Sequence, residues 1–178
     1  LYYEGLVEDI TKRKVTEEIL RFSEMRFRSV WENASDGMRL TDPNGTILAV
    51  NPAFCRIVGM EEKEIEGKPF TITYSEEEDL AEMMEKFKDR FSERKIETQL
   101  ARHVTFRSGK TVDLELSNSY VNVENKDSLL LSVFHDITIR KQAEERERQA
   151  SLELARSQAE LRKKNEMMED DLRMAHEI

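Results

Sequence analysis

The sequence holds one cysteine, Cys55, three prolines and six glycines in 178 residues, and after Gly109 it has neither glycine nor proline. A lone cysteine excludes an internal disulfide and fits a reducing compartment. No run of about 18 apolar residues occurs, so no helix is expected to span a membrane, and no secretory signal is visible. Positive charge is also short, with 28 basic against 37 acidic side chains and a net charge of −9. Residues 35–138 carry 13 basic and 20 acidic groups, whereas 1–34 (6 and 7) and 139–178 (9 and 10) are nearly balanced. An acidic middle between balanced ends lacks the clustered Lys and Arg that nucleic acid or an anionic membrane surface requires. No His/Cys/carboxylate cluster has metal-ligand spacing, and no glycine-rich phosphate loop or activated nucleophile can be assembled.

What is present begins with a repeated phrase. Asp9-Ile10-Thr11-Lys12-Arg13-Lys14 runs into Glu17-Glu18, and Asp136-Ile137-Thr138-Ile139-Arg140-Lys141 runs into Glu144-Glu145. Repetition at a fixed offset marks modular architecture. The expected organisation is the tail of one module over 1–11, a linker helix over 12–22, a complete module over 23–138, and a helix over 139–178 that leads to an output domain in cis.

The remaining punctuation divides the complete module. Residues 12–34 read as a helix, with Val15, Ile19 and Phe22 on one stripe and Phe27, Val30, Trp31 and Ala34 on a shifted one. Met38–Thr41 and Thr46–Val50 flank Asp42-Pro43-Asn44-Gly45, the residues a type I turn favours. Asn51-Pro52 reads as an N-cap followed by proline at the first helical position, and Gly59 ends that helix. Leu80, Met83, Met84, Phe87 and Phe91 give residues 76–91 an apolar helical face. Three strands are expected at about 96–107, 111–123 and 128–137. In the second of them Val112, Leu114 and Leu116 alternate with Asp113, Glu115 and Ser117, the pattern of a sheet wet on one face. Two strands, short helices and three hairpin-ordered strands define an α+β fold, a five-stranded antiparallel sheet with helices on one side.

Ser23-Glu24-Met25-Arg26-Phe27-Arg28, Asp42-x-x-Gly45-x-Ile47, Val50-Asn51-x-Ala53-Phe54, Gly59, Gly67-Lys68, Gly109-Lys110 and Asp136-Ile137-Thr138 follow in an order that resembles a PAS domain, a cytoplasmic sensory module, over roughly 23–138. Residues 1–11 resemble the last strand of a preceding one. Met60 departs from the aromatic more usual after that glycine. The resemblance implies a half-barrel enclosing a small cavity, with Leu40, Phe54, Ile57, Met83 and Phe87 as candidate lining.

Haem-binding members usually offer an axial His from the long helix. Residues 76–91 hold none, and His103 and His135 read as plain hydrogen-bonded or solvated imidazoles. Met83 at helical spacing reads as core filling. Cys55-Arg56 superficially resembles the photoreactive cysteine motif of light-sensing members, but it follows the Asn51-Pro52 cap and lacks the required Gln. A small buried hydrophobe is the expected role. Trp31 reads as packing. No haem, photoreactive flavin or metal is therefore expected, and at most a small organic molecule; the fragment itself is expected to be non-catalytic.

From Ile139 to Ile178 the chain runs without a breaker, longer than an isolated globular helix usually is. Leu154, Leu161, Met168 and Ala175 recur every seven residues, while the second seam position is mostly polar (Ser151, Gln158, Asn165, Leu172, or Ala150, Ser157, Lys164, Asp171). This is a marginal coiled coil, and it predicts a parallel homodimer through the flanking helices. Asp136, Ile137 and Thr138 are the expected coupling residues, with Asp136 or Thr138 capping the helix. The segment Asp170–Ile178 resembles the lead-in to bacterial stage-II-sporulation-type serine/threonine phosphatases, the preferred output. Met174-Ala175-His176-Glu177-Ile178 alternatively resembles the phosphoacceptor box of a sensor histidine kinase of a two-component system, with His176 taking phosphate. Asp170-Asp171 stand where that box usually has Phe-Leu.

Overall fold

The computed structural model describes residues 2–76, 79–123 and 128–176. The elements are α1 (Tyr2–Asn33), β1 (Gly37–Thr41), β2 (Ile47–Val50), α2 (Pro52–Val58), α3 (Glu62–Ile65), a 3₁₀ turn (Phe70–Thr73), α4 (Leu80–Ser92), β3 (Gln99–Thr105), β4 (Thr111–Val121), β5 (Leu129–Asp136) and α5 (Thr138–His176). The chain divides into two units, Leu1–Asp136 and Ile137–Ile178.

In the first unit five strands form one antiparallel sheet in the order β2-β1-β5-β4-β3. The last strand in sequence lies at the centre, between β1 and β4. The β1–β2 hairpin closes through Asp42, whose Oδ1 accepts from the N–H groups of Asn44 (2.9 Å) and Thr46 (2.7 Å), with Gly45 at φ +84°. A side chain at Gly45 would both strain that backbone and meet Met84 Sδ at 2.7 Å.

Short helices fill the loop between β2 and β3, and each end has its own signal. Pro52 opens α2 behind the Asn51 cap, and Gly59 closes it in the left-handed region. Glu61 and Glu64 form a reciprocal capping box on α3. Asp79 caps α4, accepting from Glu82 N–H at 2.9 Å. The core gathers Ile47, Val50, Phe54, Val58, Ile65, Phe70, Val112, Leu114 and Phe134 between these helices and the inner sheet face. Phe54 meets Phe134 edge-on, with centroids 4.9 Å apart.

Two expectations change here. Segment 2–11 belongs to α1 and is not a strand, so the first copy of the repeated phrase is helical while the second straddles β5 and α5. An isolated strand leaves its backbone groups unpaired, whereas a helix satisfies them within the segment. The wet outer face holds on β4 but weakens on β5, where Leu129, Leu131 and Val133 are apolar and half-buried. The expected turn at 124–127 lies outside the described residues.

Candidate functional site

The cavity expected in the first unit is present, with a volume of about 320 Å³. Its floor is the inner sheet face: Arg39 from β1, Leu130 and Ser132 from β5, Leu116 and Asn118 from β4, Leu100 and Arg102 from β3. Phe70 and Tyr74 form one wall, and α4 contributes Met83 and Phe87 with Glu82, Lys86 and Arg90 toward solvent. Phe87 is fixed by Phe70 (centroids 5.0 Å) and Phe91 (5.8 Å). Ser132 donates to Asn118 Oδ1 at 2.7 Å, and Asn118 Nδ2 donates to the Glu97 carbonyl at 2.8 Å, so these two floor groups are satisfied.

Of the five lining residues expected from sequence, Met83 and Phe87 line this cavity, and three do not. Phe54, fully buried, and Ile57 belong to the sealed core under α2. Leu40 is half-buried on the opposite face of β1, because the inward positions of that strand are Gly37, Arg39 and Thr41.

Arg39 is the residue that sequence reasoning missed. It is 5% exposed, and its guanidinium carbon lies 5.0 Å from the Phe70 and Phe134 ring centroids and 5.8 Å from Phe54. Nε and Nη1 have no hydrogen-bond partner. Burial pushes its pKa down, opposed by its interaction with the Tyr74 hydroxyl. The ring faces replace part of the lost hydration through cation–π attraction, but among the described residues no carboxylate pairs with this charge. A buried cation without a counter-charge is costly.

The other candidates take ordinary places. His135 Nδ1 lies 2.7 Å from Asp36 Oδ1 and His103 Nδ1 lies 3.2 Å from Asp113 Oδ1, both exposed pairs. The pKa of the Cys55 thiol is pushed up, first by burial and then by Glu62 and Glu66, which disfavours the thiolate. Trp31 donates to the Val50 carbonyl at 3.3 Å and stacks on Phe27. Among the described residues no group of His, Cys, Asp and Glu could hold a metal ion, and no helix is long and apolar enough to cross a membrane.

Asp136 is the exposed last residue of β5, paired in register with Leu114. Thr138 is the first helical residue of α5. The Ile137 carbonyl accepts from Lys141 N–H at 2.9 Å, and the Ile137 side chain is buried. His176 is the last residue of α5; its side chain, and Glu177 and Ile178, lie outside the described residues.

An antiparallel sheet in this strand order, cupping a cavity under short helices, is the architecture of a sensory α+β module. The PAS fold family's profile matches residues 25–137, well over half of the chain, and the chain belongs to that family. It is 30% identical over 147 residues to sporulation kinase E of Bacillus subtilis (strain 168), covering 82% of this chain and 19% of that protein. It is 29% identical over 136 residues to the sensor histidine kinase TmoS of Ectopseudomonas mendocina, covering 76% and 14%. The chain thus spans less than a fifth of these relatives. The PAS domain of an HTR-like protein from Haloarcula marismortui superposes with a TM-score of 0.56 at 25% identity, over 70% of this chain and 99% of that one. Both curated relatives are kinases by name. They give the expected phosphatase output no support.

Proposed function

We infer that the chain is the sensory and dimerising segment of a cytoplasmic sensor histidine kinase, non-catalytic in its first unit, with His176 as the phosphoacceptor of the output that follows. The observation carrying this reading is the covalent path from cavity to output. Central strand β5, whose Leu130 and Ser132 form part of the cavity floor, passes through one residue into a 39-residue helix ending at His176. The strand that carries the floor is therefore joined through one residue to a helix roughly 60 Å long. Similarity to two kinases supports the same output.

The proposed dimer is parallel and runs through the flanking helices. On α1 Val15, Ile19, Phe22 and Val30 are exposed, Ile19 at 65%, and on α5 Leu154 (60%), Leu161 and Met168 are exposed. Apolar stripes of this length on water-facing helices mark an interaction surface. Light scattering at high micromolar concentration should give twice the chain mass; a monomer there would contradict the dimer. Residues 2–11, helical within α1, suit a helical connector.

Coupling is assigned to Asp136, Ile137 and Thr138. Asp136→Ala is expected to leave the chain folded, at a cost of at most about 1 kcal/mol for an exposed position, while uncoupling kinase output from the input signal in the full-length protein. A full-length Asp136→Ala protein with an unchanged signal response would remove the coupling role.

A further inference from the structure

We propose that the cavity is a binding site for a small organic monocarboxylate with an aliphatic body, anchored by the buried guanidinium of Arg39. Four cations line the cavity (Arg39, Lys86, Arg90, Arg102) against three carboxylates, within a segment that is strongly acidic overall. Two of the three carboxylates pair with Lys86 and Arg90, which leaves Arg39 and Arg102 as the lining cations with no carboxylate partner among the described residues. Asp79 caps α4, Glu82 pairs with Lys86, and Glu97 lies 3.6 Å from Arg90. Among the described residues Arg39 has no such partner, and two of its nitrogens are orphaned in the interior.

The missing component is an anion, and the cavity bounds its chemistry. A volume of about 320 Å³ is at the small end of ligand sites. Met83, Phe87, Leu116 and Leu130 offer apolar surface for a short hydrocarbon body. Tyr74 and three aromatic rings already crowd the guanidinium, which suits a flat, singly charged carboxylate over a strongly hydrated phosphate dianion. Exposed Arg102 lies on the same cavity floor, where it would draw the anion inward.

This proposal deepens the sensor reading and rests on it for its biological sense, but it is tested on the 178-residue chain alone. Hexanoate is the probe, with hexanol as the neutral control and inorganic phosphate as the apolar-free anion. Hexanoate should raise the melting temperature in a concentration-dependent way, through binding to the folded state, and hexanol and phosphate should not. Arg39→Met, which removes an unpaired buried charge, should melt at or above the parent temperature and bind hexanoate at least roughly tenfold more weakly. Arg102→Met, at an exposed position, should fold normally and weaken binding by a smaller factor. No hexanoate effect on the parent chain, an equal effect of hexanol or phosphate, or undiminished hexanoate binding in Arg39→Met would each overturn the proposal. Failure here leaves phosphorylation at His176 untouched, and absence of that phosphorylation leaves hexanoate binding untouched.

Discussion

A protein in which this chain continues into its own output region is expected to incorporate phosphate from ATP, and His176→Gln is expected to abolish that incorporation. Glutamine keeps a polar side chain of similar reach but has no imidazole nitrogen to attack the γ-phosphoryl group, so the loss should be all or none. His176 closes α5, a helix with no glycine or proline from its first residue to its last. The product should be acid-labile and alkali-stable, as a phosphoramidate is and a phosphoserine is not. Label that survives in the His176→Gln protein would place the acceptor elsewhere. A phosphatase output would show no autophosphorylation in the parent and would release phosphate from a phosphoserine protein. The residues after Ile178 bear on the same choice: Arg-Asn-Pro or Arg-Thr-Pro fits a kinase, and Gln fits a phosphatase.

Much of the fold was legible because local chemistry and global architecture agree. Asp42-Pro43-Asn44-Gly45 could be read as a turn because its Asp and Gly do in the structure what those residue types do in isolation. Asn51-Pro52 and Gly59 bracketed α2 for the same reason. The cavity was legible only in part, and β1 shows why. Binary patterning sends apolar residues inward, which makes Met38 and Leu40 the inner set of Met38-Arg39-Leu40-Thr41. The actual inner set is Gly37, Arg39 and Thr41, with Met38 and Leu40 half-buried on the other face. A buried arginine breaks the rule on which the inference rested, and such breaks concentrate at functional sites. Phe54 and Ile57 were misplaced for a different reason. Helical spacing marks a buried face but does not say whether that face meets a sealed core or a cavity, which depends on how closely α2 approaches β1. Gly37 sets that approach, since a Cβ there would lie 3.0 Å from the Phe54 backbone. The reading of 1–11 as a strand failed because a short phrase carries no information about whether a neighbouring strand is available to pair with it.

Asn51→Ala is expected to destabilise the first unit by about 4 kcal/mol. Asn51 has no exposed surface, and all four of its side-chain hydrogen bonds are made. Its Oδ1 accepts from Phe54 N–H and Met38 N–H, both at 2.8 Å, and its Nδ2 donates to the Asp36 carbonyl at 2.9 Å and the Trp31 carbonyl at 3.2 Å. Two donors at one end and two acceptors at the other fix the orientation of the amide. One side chain thus joins the end of α1, the start of β1 and the first turn of α2. Removing a helix cap alone costs about 1 kcal/mol. Here alanine also strands the Met38 N–H and two carbonyls in part-buried surroundings, each worth about 1 kcal/mol or more when left unsatisfied. Asn51→Asp separates the two contributions. It retains the cap acceptor but sets a carboxylate oxygen against the Trp31 and Asp36 carbonyls, so it should fail to rescue stability. Urea unfolding of the three proteins decides the matter: an Asn51→Asp chain as stable as the parent would show that capping, and not the junction of α1, β1 and α2, is what Asn51 supplies.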